Sequence, residues 1–215
     1  MFIFLLKNKV GPAILDNKAK IFCNAEAKQL IKENLINGEF TDGKNGRRLF
    51  SIDVAEIYDD PDVLKFLKEK ASNYEEWQRL NSAGWFALLI LAQHGDEQSI
   101  KKVIQIAKIP VKDRVAQIYD MIGQLSYVRR TEIVDLLREF LASNETQMSY
   151  DGSVISASNT AAMSLSSMIK DYPKVDSWGR FYDDLKPKCI EWFNTHKSYE
   201  FKEGMSYNVY IAFRF

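Results

Sequence analysis

The stretch Gly84-Trp-Phe-Ala-Leu-Leu-Ile-Leu-Ala-Gln-His-Gly-Asp-Glu-Gln-Ser-Ile-Lys-Lys-Val-Ile-Gln-Ile-Ala107 decides the fold. Trp85, Leu88, Leu89 and Ala92 stand at i, i+3, i+4 and i+7, and so do Ile100, Val103, Ile104 and Ala107 beyond Gly95-Asp96. That spacing lays an apolar stripe along one side of a helix, and the stripe must be buried against a neighbour. Gly95 suits the left-handed backbone that ends a helix, and Asp96 suits the free amides that begin the next. The stretch therefore reads as two helices joined by a tight turn. The quartets return about 33 residues later as Ile118, Met121, Ile122 and Leu125, then Ile133, Leu136, Leu137 and Phe140. There Tyr127-Val-Arg-Arg130 replaces the Gly-Asp turn. A helix pair that recurs in this way is the unit of a stacked repeat, in which each pair buries its stripe against the next.

Helical punctuation extends on both sides. Asp60-Pro61 places a cap before the residue best tolerated at the first helical position, and Val63, Leu64 and Leu67 carry a stripe to about Ala71. Ser72 and Glu75 have the spacing of a capping box that opens a helix through Trp77 and Leu80. The next helix, residues 82–94, is apolar on nearly every side, as an enclosed helix is. Residues 143–160 are rich in Ser, Asn and Thr, carry an Asp151-Gly152 turn and lack apolar periodicity, so they read as a long loop. Ala161, Ala162, Leu165, Met168 and Ile169 resume a helix, and Trp178, Phe181, Tyr182 and Leu185 begin another that Pro187 kinks or divides before Cys189, Ile190, Trp192 and Phe193.

The ends differ in texture. Within residues 1–58, apolar segments at 2–6, 13–15 and 49–54 are separated by Gly11-Pro12, Asn37-Gly38, Asp42-Gly43 and Asn45-Gly46, with one helix expected between Asn24 and Leu35. This predicts an irregular α/β N-terminal cap with room for short strands. Residues 59–198 hold the helical repeats. Residues 199–215 form a tail packed on the domain, in which Met205, Tyr207, Val209, Ile211, Phe213 and Phe215 alternate with a period of two that favours a strand over a helix with several aromatic faces. The fold class is mainly α.

The segments 84–96 and 99–107 resemble the HEAT-like repeat of the ARM/HEAT-type α-solenoids, in which a first helix rich in small residues ends in a Gly-Asp turn and a Leu/Ile/Val-rich second helix follows. The resemblance covers residues 82–108 best, 112–142 less well and 159–195 weakly. It implies an antiparallel helix-hairpin solenoid, a right-handed superhelix whose second helices line a concave surface that holds protein or nucleic acid. It implies no enzyme and no particular member of the superfamily.

Charge and composition narrow the function classes. With 29 basic and 29 acidic side chains among 215 residues, the chain has no net attraction for nucleic acid or an anionic membrane. Cys23 and Cys189 are too few for a disulfide framework or a thiolate metal site, which favours a cytoplasmic setting. The apolar opening, residues 1–6, ends at Lys7 with no basic region before it and no small-residue cleavage site after it, so it reads as a strand or helix start. No run approaches the ~18 apolar residues that a membrane span requires.

The chemistry-bearing residues are sparse. The glycines at 38, 43 and 46 fit hairpin turns and make no phosphate-cradling loop. His94 falls in the last turn of a helix, where a cation is favoured, and His196 lies beyond Trp192-Phe193 at the surface. The carboxylates at Asp59, Asp60 and Asp62 and at Asp183 and Asp184 begin or flank helices, where acids suit the macrodipole without any metal. No catalytic residues, metal ligands or cofactor are assigned. The expected function is non-catalytic binding of another protein, as a scaffold or as an inhibitor such as an immunity protein that neutralises a toxic enzyme. The candidate partner-binding residues are Gln98, Lys102 and Gln105 on one second helix and Thr131, Asp135 and Arg138 on the next. The alternative is a HEAT-like DNA-repair glycosylase or another nucleic-acid-binding protein, which requires a basic groove and aromatics such as Trp77, Trp85, Trp178 or Trp192 beside a carboxylate.

Overall fold

The computed structural model describes residues 25, 29, 32, 33 and 36, then 58–74, 82–110, 118–148, 152, 154–174 and 185–202. The expected strands of the cap, the helix through Trp77 and Leu80, the segment around Trp178 and the alternating tail from Met205 lie outside the described residues. From Tyr58 onward these residues form seven helices and one two-stranded antiparallel sheet: α1 (Pro61–Ser72), α2 (Ala83–Gln93), α3 (Glu97–Ala107), α4 (Ile118–Leu125), α5 (Thr131–Ala142), β1 (Thr146–Met148), β2 (Val154–Ser156), α6 (Ala157–Met168) and α7 (Leu185–Thr195). The chain is mainly α. It divides into two compact units, with the boundary between Leu91 and Ala92.

In the first unit, Ala25, Gln29, Lys32, Glu33 and Ile36 are helical, and Asp60 begins α1. Its carboxylate accepts from the amides of Asp62 at 2.9 Å and Val63 at 3.3 Å, and Pro61 follows where no amide is needed. Lys32 joins the same turn, 2.9 Å from Asp60 and 2.7 Å from Asp62. Hydrogen bonding to Lys32 holds the Asp60 carboxyl below its ordinary range, and bonding to Asp62 and Asp60 lifts the Lys32 ammonium above its own. The stripe of α1 is Val63, Leu67 and Ala71. Ser72 is the last residue of this helix, and its hydroxyl donates to the Glu69 carbonyl at 2.9 Å, satisfying a helix-end acceptor. Its expected capping partner, Glu75, lies outside the described residues.

Gly84 sets how closely α2 approaches the end of α1. A Cβ at this position would stand 2.8 Å from the Tyr74 Cβ and 2.9 Å from the Lys70 carbonyl oxygen. The Ser82 hydroxyl accepts from the Trp85 amide, and Trp85 meets Tyr74 with ring centroids 5.9 Å apart. Every side chain from Trp85 to Leu91 is buried, so α2 is enclosed on all sides.

In the second unit, Gly95 adopts φ 89° and Asp96 caps α3 by accepting from the Ser99 amide at 2.9 Å. Arg129 adopts φ 49°, and Arg130 stands before α5 as Asp96 stands before α3. The two turns are thus 34 residues apart, one more than the 33 that relate the first helices. The Ser126–Arg130 turn has five residues where the turn at 94–96 has three, and the longer turn shifts the register of the second helices. Ser99, Ile100, Val103, Ile106 and Ala107 are the buried positions of α3, and 34 residues on, Ile133, Val134, Leu137, Phe140 and Leu141 are all buried in α5. Ile104, expected in the apolar seam, is only half-buried, and Ile106 takes the enclosed place.

Helix α6 lies against both α4 and α5, α7 lies against α5 and α6, and α3 lies beside α5. The first of these contacts is close because α6 presents small residues. Ala157, Ala161, Ala162 and Ser164 are all buried, and the Ser164 hydroxyl donates to the Ile122 carbonyl of α4 at 3.0 Å. A Lys108–Glu139 ion pair of 2.8 Å links the end of α3 to α5. Residues 143–160, expected as one long loop, contain the β1–β2 hairpin and the first turn of α6. Thr146 pairs with Ser156 and Met148 with Val154, Gly152 adopts φ 80°, and Ser156 caps α6. Strands of three residues are too short to display alternation, so the sequence pattern does not reveal them.

Two stability changes follow. Gly84→Ala overpacks α2 against a backbone carbonyl that has no rotamer to yield, and a loss of about 1–3 kcal/mol is expected as a lowered melting temperature. Arg130→Asp supplies the side-chain cap that α5 lacks and gives up only an exposed 3.7 Å ion pair between the Arg130 Nε and Glu132. It is expected to raise stability by about 1 kcal/mol, checked by chemical denaturation.

Candidate functional site

The six candidate side chains are not equivalent in the structure. On α3, Gln98 and Gln105 are exposed and Lys102 is half-buried. On α5, Thr131, Asp135 and Arg138 are all exposed. The 34-residue register places Lys101 and Ile104 at the positions of α3 that correspond to Asp135 and Arg138. The matched polar rows expected from a 33-residue period are therefore offset by one residue.

The α5 residues do come together. Asp135 and Arg138, one turn apart, form an ion pair of 3.4 Å, and the Arg138 guanidinium lies over the Phe193 ring of α7, 4.7 Å from its centroid. A cation on an aromatic face is worth about 0.5–1 kcal/mol at an exposed site. Tyr199 stands beside the same ring, its centroid 6.3 Å from that of Phe193, and Thr131, Asp135, Arg138 and Glu132 all act on its hydroxyl. Burial is the main cause that lifts the Tyr199 hydroxyl above the ordinary tyrosine range. The face thus combines a hydroxyl, a carboxylate and a guanidinium beneath aromatic rings contributed by α7 and the segment after it.

Those rings belong to one cluster. Trp192 meets Tyr172 edge-on at 5.0 Å and Phe193 at 5.2 Å, and Phe193 meets Tyr199 at 6.3 Å. The Trp192 indole donates to the Asp171 carbonyl at 3.1 Å, and Asp171 itself adopts φ 57°. His196 stacks on Trp192 with centroids 4.4 Å apart and planes 5° from parallel. Its Nδ1 lies 2.9 Å from both the Trp192 carbonyl and the Thr195 hydroxyl. The aromatic residues of α7 were legible as an apolar face; their gathering around Arg138 had no local signal.

Beneath the cluster, Tyr172 and Cys189 are both buried. Burial holds the Tyr172 hydroxyl far above its ordinary range, with Cys189 adding to the shift, and burial also raises the Cys189 thiol. A buried protonated thiol is a poor nucleophile. The Tyr172 hydroxyl has no hydrogen bond of standard geometry, and the thiol that acts on it is only a weak acceptor.

The acidic cluster at α1 is committed elsewhere, since Asp60 caps the helix and shares Lys32 with Asp62. Asp183 and Asp184 lie outside the described residues. Among the described residues no group of three or more His, Cys, Asp or Glu side chains is placed to hold a metal ion, and no helix is long and apolar enough to cross a membrane. Comparison of the chain with protein-family models, with curated proteins and with solved structures finds no match.

The Tyr172 hydroxyl gives a direct test of this packing. Tyr172→Phe removes a buried donor that lacks an aligned partner, so stability is expected to stay level or rise by up to about 1 kcal/mol, read from the denaturation midpoint. A loss of that size would show that the Tyr172–Cys189 contact carries weight.

Proposed function

We propose that the chain is a non-catalytic protein-binding module built on HEAT-like helix pairs, and that the α5 face is its recognition surface. The observation that carries this reading is the convergence of Thr131, Asp135 and Arg138 with Phe193 and Tyr199. Arginine and tyrosine side by side, with a rigid helix beneath and aromatic rings around them, is the composition of an interface centre.

The order of helix neighbours supports the repeat reading. Second helices α3, α5 and α7 adjoin in turn, first helices α4 and α6 adjoin each other, and left-handed turn residues recur at Gly95 and Arg129. Such stacking presents rigid rows of side chains to a partner at little entropic cost. A cytoplasmic inhibitor that neutralises an enzyme, of the immunity-protein kind, needs no more than this. The balanced charge weighs against a phosphate-tracking surface and hence against the glycosylase alternative.

The test is a pull-down from the native source with the wild-type chain and with a Lys102→Glu, Asp135→Lys, Arg138→Glu triple variant, each checked by thermal melt. Partner capture is expected to disappear while the chain stays folded, with only a modest fall in the melt because Lys102 is half-buried and Arg138 leaves the Phe193 ring, a contact of about 0.5–1 kcal/mol. Arg138→Glu alone is expected to account for most of the loss. Full retention by the triple variant would remove the α5 face from consideration, and tight binding of a damaged duplex would favour the nucleic-acid reading.

A further inference from the structure

The extended segment after α7 pairs with the chain that leaves α6. The Lys170 amide donates to the Glu200 carbonyl at 2.9 Å and the Lys202 amide to the Met168 carbonyl at 2.8 Å, which makes an antiparallel bridge between Ile169 and Phe201. Side chains clamp this bridge from both directions. Lys170 and Glu200 form an ion pair of 2.7 Å, the Lys202 ammonium donates to the Ser166 carbonyl at 2.6 Å, and Arg129 donates to the Lys202 carbonyl at 2.7 Å. Tyr199 lies against Phe193, ring centroids 6.3 Å apart, beside the Arg138 guanidinium of α5, and its ring meets Phe201 edge-on at 5.7 Å.

This is the geometry of a peptide added along a backbone edge, where main-chain bonds supply affinity and neighbouring side chains supply specificity. Its anchors are individually weak. The ion pair is exposed and worth about 0–1 kcal/mol, and each backbone hydrogen bond contributes about 0.5–1.5 kcal/mol net. Short segments held in this way open without unfolding the rest of the chain.

We infer that the ledge formed by Thr131, Asp135 and Arg138 of α5 and by the backbone of residues 168–170 is a peptide-binding groove. Residues 199–202 are its resident ligand, and a partner enters by displacing them with an extended aromatic–acidic–aromatic segment of its own. The acidic position is set by Lys170, the flanking aromatics by the α5 face and the cluster around Phe193, and the extended form by the bridge to Ile169. Only the displacing partner rests on the protein-binding function proposed above; the groove and its resident ligand are tested without it.

The experiment uses the full chain and a fluorescent peptide of residues 197–202. In the wild type the tethered segment competes at an effective concentration of about 1 mM, so labelled peptide at micromolar concentration is expected to give little anisotropy change. A full-length Tyr199→Ser, Phe201→Ser variant strips the resident segment of its rings and so weakens its hold on the groove, and the same peptide is expected to bind it at least about tenfold better than it binds wild type. A peptide carrying both serines is expected to fail.

Equal binding by wild type and variant, or no binding by a variant with a wild-type melt, overturns the inference. Should the double variant not fold, full-length Lys170→Glu replaces it, since that change is confined to a surface ion pair. It is expected to prefer a peptide with lysine in place of Glu200 over the native peptide by about threefold, and no preference overturns the inference. Failure of the pull-down leaves all of these outcomes unchanged.

Discussion

Helices α3 and α5 each follow a turn residue held in the left-handed region, and the arrangement of the two helix pairs depends on that constraint. Gly95 meets it without steric cost, because it has no Cβ to clash with the following carbonyl. Arg129 meets it with a side chain, and the guanidinium that this places at the surface reaches the Lys202 carbonyl. The strained position is thereby tied to the segment that covers the α5 face. The asymmetry of the caps has the same origin. The Asp96 side chain satisfies a free amide of α3, whereas the Arg130 side chain offers none of α5's amides an acceptor and only its carbonyl does, to Ile133 and Val134, so α5 relies more heavily on its buried stripe against α6 and α7.

That reliance explains the composition of α6. A helix that must lie close to two others does so by presenting Ala157, Ala161, Ala162 and Ser164 rather than large side chains, because packing distance is set by side-chain volume. The one polar group in this set, Ser164, avoids a burial penalty by bonding the Ile122 carbonyl. The bulky residues are displaced to α7, where Trp192 and Phe193 gather Tyr172, His196 and Tyr199 into one aromatic cluster. Arg138 joins the cluster through Phe193, and the helical core and the proposed recognition face therefore share the same side chains.

Helical periodicity, the Asp60-Pro61 start, the Asp96 cap and the Gly95 stop were all legible in the sequence, because each is a local preference expressed within one turn of helix. The repeat was legible too, but its register was not. Matching apolar quartets at a 33-residue period treats the two turns as equal in length, and the longer turn before α5 became visible only in the structure, where Arg129 has a positive φ. The i, i+3, i+4, i+7 spacing points to Ile104 in the seam, although Ile106 is the residue enclosed there.

The sequence by itself determined that the chain is mainly α, which faces of its helices are apolar, and that Arg138 and Asp135 stand on the polar side of α5. Tertiary structure alone decided what lies over that side. Thr131 and Tyr199, Lys170 and Glu200, and Ser164 and Ile122 are far apart along the chain, and no periodicity within a single element encodes such a meeting. The β1–β2 hairpin escaped detection because its strands are three residues long, below the length at which alternation can be recognised. Local preferences are settled by backbone sterics and hydrogen bonding within a turn, whereas the covering of a face is settled by which distant segment buries it best.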